Sequence, residues 1–68
     1  MKEFKISLNS KSDYLRILKV CNENNIKFKA NGDDWNCKFE ITYYHSKEII
    51  IDKYNRLFIG DVLYKKSA

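Results

Sequence analysis

Proline is absent from this chain, glycine occurs twice, histidine once and arginine only as Arg16 and Arg56. With so little proline and glycine there is no linker, low-complexity tract or internal repeat. No Gly-rich run opens a helix, which removes the phosphate-cradling loops of nucleotide enzymes. The shortage of arginine counts against sequence-specific DNA reading, because arginine forks phosphates and guanine edges. No apolar run approaches the roughly 18 residues of a membrane span. The opening MKEFKISLNSK is too polar, and alternates too early, for a secretory signal. The expectation is a cytoplasmic chain with no membrane partner. Cys21 and Cys37 form no CxxC and have no neighbour at metal-ligand spacing. They read as two small buried thiols, kept reduced in the cytosol and bridged only if the protein works outside the cell.

What is present is a core's worth of apolar residues. Of 68 residues, 44% are apolar and 15% aromatic, enough for one small α+β domain over 1–68. A second domain or a deep substrate cavity has no room. The net charge of +4 comes almost wholly from lysine. It permits an anionic partner without requiring one. Lys, Asn, Ile and Tyr abound while Pro, Gly, Ala and Arg are sparse, a bias of small proteins from low-GC bacteria or their phages.

The periodicities predict a β-α-β-β-β-β order. Phe4, Ile6 and Leu8 alternate with Lys5 and Ser7 in a strand from Lys2 to Leu8. Ser10 is the favoured N-cap, with Asp13 three residues on and Ser12 as rival. The helix should run to about Asn24, with Tyr14, Ile17, Leu18 and Cys21 on one stripe, Leu15 and Val20 flanking it, and Arg16, Lys19 and Glu23 wet. Asn24-Asn25 suits the end. A strand over Ile26–Ala30 meets Asn31-Gly32, the pattern of a two-residue type I′ turn. That turn pairs Phe28 with Trp35, Ile26 with Cys37 and Lys29 with Asp34. The next strand, Trp35–Tyr44, puts Trp35, Cys37, Phe39, Ile41 and Tyr43 inside. A three-residue loop at His45-Ser46-Lys47 would place Ile49 and Ile51 opposite Tyr43 and Ile41, since a shorter loop buries Glu48 and Asp52. A turn near Tyr54-Asn55 leads to a last strand, Arg56–Tyr64, and then a frayed tail at 65–68. A two-residue turn there puts Leu57, Ile59 and Leu63 outside with Ile50; a three-residue turn swaps the rows. The first two strands should be parallel if they share a sheet, the rest an antiparallel meander with the helix on one face. A small open barrel is the alternative.

No catalytic constellation emerges. His45-Ser46 lies in one tight turn, where a base and nucleophile do not align with an acid. Asp33-Asp34 sits at a hairpin, where aspartate serves local hydrogen bonds. Gly60-Asp61 reads as a bulge or close backbone approach. The chain is therefore read as non-enzymatic, with no cofactor, metal or small-molecule substrate.

Two surfaces remain. Between Glu48 and Tyr64 the apolar runs Ile49-Ile50-Ile51 and Leu57-Phe58-Ile59 grease both faces of a hairpin. One helix cannot cover both, and exposed apolar clusters mark partner sites. The candidate protein-binding residues are Ile50, Tyr54, Arg56, Leu57, Ile59 and Leu63. The expected function is a non-catalytic protein-binding module, a bacterial or phage accessory protein that occupies a host protein surface as an inhibitor or anti-defence factor. The alternative is nucleic-acid binding through Lys5, Lys27, Lys29, Lys38 and Tyr44 on the lysine-rich sheet face. A homodimer is a third reading.

Overall fold

A computed structural model describes residues 1–65. Strand β1 (Lys2–Leu8) leads into helix α1 (Lys11–Glu23). Five strands follow: β2 (Lys27–Asp33), β3 (Lys38–His45), β4 (Ile49–Ile51), β5 (Leu57–Ile59) and β6 (Val62–Leu63). The architecture is α+β, and the strands form two antiparallel three-stranded sheets, ordered β1-β3-β2 and β4-β5-β6. The single meander expected from the sequence is thus split after β3, and the two sheets share no strand, which replaces the barrel alternative. Beyond Lys65, the expected tail lies outside the described residues.

Local signals account for the first third of the chain. The Ser10 hydroxyl accepts the Asp13 N–H at 3.1 Å, so Ser10 and not Ser12 caps α1. At the other end Asn25 is left-handed (φ 54°), and Ile26 N–H returns to the Cys21 carbonyl at 2.8 Å. Those bonds close the helix in a Schellman geometry. Ile17, Val20 and Cys21 are buried, while Tyr14 and Leu18 pack half-buried beside them. β1 and β2 are both antiparallel to β3, hence parallel to each other with β3 between them.

The β2–β3 turn lies four residues later than Asn31-Gly32 suggested. β2 continues through Asp33, which faces Lys38, and the turn is 34–37. Two observations explain this. A Cβ on Gly32 would come within 2.9 Å of the Tyr14 ring, so this glycine lets the helix approach the strand instead of turning the chain. The Asp33 carboxylate accepts the N–H groups of Trp35 (2.9 Å) and Asn36 (3.3 Å) and the Asn36 side-chain amide (2.6 Å), building the turn itself. These bonds, led by the Asn36 side chain, hold the Asp33 carboxyl below the ordinary carboxylate value. Phe28 therefore faces Tyr43, not Trp35, and Lys29 faces Thr42, not Asp34. Asp34 pairs instead with Lys11 at 3.0 Å. Trp35 is 92% exposed and Cys37 is exposed with φ 52°, so neither belongs to the inner row. Only Cys21 is the buried thiol expected of both, and both cysteines are free.

One core joins the layers. Ile17, Val20 and Cys21 of α1 meet Ile41 and Tyr43 of β3, with Ile26, Ile49 and Leu57. The seam between the sheets is a buried hydrogen bond: Ile49 N–H donates to the Tyr43 hydroxyl at 2.7 Å. That amide is satisfied by a side chain, and β4 pairs with β5 instead of β3, so Ile49 is inside as expected but not opposite Tyr43 in a ladder. Burial raises the Tyr43 phenol, although the Ile49 N–H partly offsets it. Burial pushes the Cys21 thiol up to about 11.

Candidate docking surface

The second sheet is built around two turns. The β4–β5 loop spans residues 52–56 and pairs Ile49 with Ile59, Ile50 with Phe58 and Ile51 with Leu57. Gly60-Asp61 forms the β5–β6 turn, with Gly60 at φ 63° and its N–H on the Glu48 carbonyl at 2.7 Å. It is a turn and not a bulge, while the close approach expected there is present, since a Cβ would come within 2.9 Å of the Lys47 side chain; the turn divides the predicted Arg56–Tyr64 strand into β5 and β6. Glycine reaches this left-handed conformation without steric cost.

An odd loop sets which row is wet. Leu57, 2% exposed, is a core residue, and Ile59 is half-buried on the same inner side. Both leave the list of exposed candidates. Phe58 takes their place, because the register puts Ile50, Phe58 and Leu63 side by side across all three strands. Ile50 is 42% exposed and Leu63 39%; Phe58 is half-buried. Of the two turn lengths left open, the odd one puts Phe58 outside as observed, while the tip residues Trp35 and Cys37 are surface residues that sequence reasoning placed inside. A loop length for 52–56 would have decided the place of Phe58, and recognition of Gly32 as a packing glycine that of Trp35 and Cys37.

The 52–56 loop adds an ordered aromatic–cationic edge to this row. Asp52 Oδ1 accepts the N–H groups of Tyr54 (3.0 Å) and Arg56 (2.8 Å), and Oδ2 accepts Arg56 Nε at 2.8 Å. Backbone bonds from Asp52 N–H to the Arg56 carbonyl and from Asn55 N–H to the Asp52 carbonyl complete the clasp. Partial desolvation raises the Asp52 carboxyl, but the bonds and charge of Arg56 and the Tyr54 N–H outweigh it, and the net shift is downward. Arg56 is thereby fixed over the rings of Tyr54 (5.2 Å) and Phe58 (5.6 Å), while Lys53 lies over Tyr54 at 5.1 Å. Tyr54 remains 67% exposed. Arg16 of α1 donates to the Asn55 side-chain oxygen at 3.0 Å, anchoring the loop to the helix.

Compared with protein-family models, curated proteins and solved structures, the chain matches none.

The other sequence candidates also converge. Lys5 and Lys29 flank Thr42, Lys27 flanks Tyr44, and Lys38 faces Asp33, all on the face of the first sheet away from the helix. Acids share that face. Lys5 pairs with Glu40 at 3.3 Å, and the Tyr44 hydroxyl donates to Glu3 at 2.9 Å, which raises the phenol. At the chain turn, Lys47 N–H donates to His45 Nδ1 at 3.0 Å, so that ring nitrogen is engaged locally. Among the described residues no three of His, Cys, Asp and Glu are grouped to hold a metal. A shallow groove of about 270 Å³ runs between Arg16, Val20, Glu23, Leu57 and Tyr64, and Tyr64 donates to Glu23 at 2.8 Å across it. Among the described residues no helix is long and apolar enough to cross a membrane.

Proposed function

We propose that the chain is a non-catalytic protein-binding module that docks through the outer face of β4-β5-β6. The observation carrying this reading is the in-register row Ile50–Phe58–Leu63, bordered by the clasped Tyr54 and Arg56. The core is already formed on the opposite side of that sheet by Ile49 and Leu57, so the row is not needed to close it. Each such side chain contributes roughly 1.5–3 kcal/mol when fully buried, and less in proportion to the area already covered. Tyrosine and arginine are the residue types that anchor interfaces, and a loop fixed before binding loses little entropy on association. With a net charge of +4, the favoured partner presents an apolar patch with an acidic rim. Small size and codon-linked composition support a bacterial or phage accessory protein that occupies a host protein surface, as an inhibitor or anti-defence factor would.

The test compares wild type with Ile50→Asp and Leu63→Asp as bait against a native-host extract. Both variants should keep the wild-type circular dichroism and lose the captured protein. If either unfolds the monomer, its side chain belongs to the core and the docking face is lost.

One observation favours a second reading. The register does bring Lys5, Lys27, Lys29, Lys38 and Tyr44 onto one face, a layout that suits a nucleic-acid backbone. Glu3, Glu40 and Asp33 on that face oppose it, as does the single aromatic, where stacking platforms offer two or three. Oligonucleotide titrations at two salt concentrations separate the readings, since phosphate contacts give an affinity that falls steeply with salt.

A further inference from the structure

Strand β2 is at the margin of its sheet, and its outer edge pairs with no other described strand. It is seven residues long, Lys27-Phe28-Lys29-Ala30-Asn31-Gly32-Asp33. An edge of this length is a template for a further strand unless its sequence opposes pairing. We propose that this edge pairs with the same edge of a second copy, antiparallel about Ala30, joining two three-stranded sheets into one of six strands.

The self-complementarity of the strand carries the proposal. With Ala30 opposite itself, Lys27 lies opposite Asp33 of the second copy, and the two-fold repeats that ion pair at the other end. The turn bonds keep Asp33 ionised. Lys29 faces Asn31, so no like charges meet. Phe28 faces Gly32 on the helix side, where the Tyr14 ring already lies over the glycine. The register uses all seven residues and places both helices on one face of the joined sheet. Sliding by two positions keeps an ion pair, Lys29 with Asp33, but shortens the ladder to five residues and sets Phe28 against Asp34 of the turn.

The other edges do not share this property. β1, also seven residues, would set Lys5 against Lys5 in its centred register, and like charges directly opposite oppose pairing. β4 and β6 have three and two residues. This interface lies on the first sheet and is independent of the docking face on the second.

Position 30 decides the matter because it meets itself. Ala30 is exposed, so the monomer should accept a charge there. Wild type, Ala30→Lys, Ala30→Glu and an equimolar mixture of the two variants are measured by light scattering and sedimentation over a concentration series. Reductant is present because Cys37 is an exposed free thiol. Wild type should dimerise, each variant alone should associate at least about tenfold more weakly, and the mixture should recover dimer. A wild type that stays monomeric to about 500 µM overturns the proposal, as do single variants that dimerise like wild type. So does a mixture of folded variants that fails to recover. Should circular dichroism show that position 30 variants do not fold, Lys27→Glu takes their place: it puts two acids opposite and must weaken the dimer, and an unchanged dimer overturns the proposal. Ile50→Asp must leave the dimer intact; loss of self-association there would move the interface to the second sheet and refute the assignment to β2.

Discussion

Replacing Tyr43 by Phe removes one oxygen from the seam between the two sheets. The ring stays, and so should its stacking on Phe4, whose centroid is 5.3 Å away at 23°. What disappears is the acceptor for Ile49 N–H, a 2.7 Å bond inside the core. A buried donor left without a partner costs about 1–3 kcal/mol. A single core in a domain this small supplies rarely more than roughly 3–5 kcal/mol of stability, so the change should be large. At about 4–8 °C per kcal/mol for a chain of this length, the thermal midpoint should drop by roughly 5–20 °C. Urea and thermal unfolding followed by circular dichroism measure it, and hydrogen exchange at the Ile49 amide localises it. Tyr44→Phe is the control: its hydroxyl bonds an exposed Glu3 carboxylate, and the cost should stay within about 0.5 kcal/mol. If Tyr43→Phe matches that control and Ile49 remains protected, the sheets are not joined through this hydroxyl and the reasoning fails.

Three further outcomes follow from the same geometry. Leu57→Ala should cost about 2–5 kcal/mol as a core truncation, whereas Ile50→Ala should cost well under half of that; equal values in urea denaturation would contradict the assigned faces. Cys21 is fully buried, with its thiol raised from 9.0 to about 11, and the Tyr43 phenol is raised as well. For both, the folded value lies above the unfolded one, so each stabilisation is complete below the unfolded value and is lost as pH rises through the folded one, which for the Cys21 thiol is about 11. The thiol accounts for up to about 3 kcal/mol. The urea midpoint of wild type should therefore fall more steeply between pH 9 and 11 than that of Cys21→Ala. The Asp52 carboxyl lies below its ordinary value of 3.8, so its clasp is complete above that pH and opens only as pH falls through the lower folded value. The Arg56 Nε proton resonance should report this, and Asp52→Ala should show the open state at neutral pH with little change in unfolding midpoint.

The legible parts of the fold were those fixed within a few residues of chain. Alternation over Lys2–Leu8, the Ser10 cap and the Asn24-Asn25 stop are local signals, and the structure follows them. The parts that escaped depend on contacts distant in sequence. Gly32 reads as a turn residue until the Tyr14 ring is seen against it, and that one contact moves the hairpin by four positions and turns Trp35 and Cys37 outward. The split after β3 depends on a tyrosine hydroxyl taking an amide that a strand ladder would otherwise use. The two-sided grease of residues 49–63 was legible, but the wet row was not: a five-residue loop, set by the Asp52 clasp, turns Phe58 out beside Ile50 in place of Leu57 and Ile59, and the Gly60-Asp61 turn then brings Leu63 opposite Phe58. On the first sheet, the lysine row and its shared face were readable from period two, while the acids that neutralise part of it depend on how the strands align.

The most direct measurement is the affinity of a captured host protein for wild type and for the Ile50→Asp variant, taken with the unfolding midpoint of each. A charge set in the middle of an outward apolar row should weaken binding by about a hundredfold or more, with the midpoint moved by only a few degrees. An unaltered affinity, or a monomer that no longer folds, would show that the outer face of the second sheet is not where this protein meets its partner.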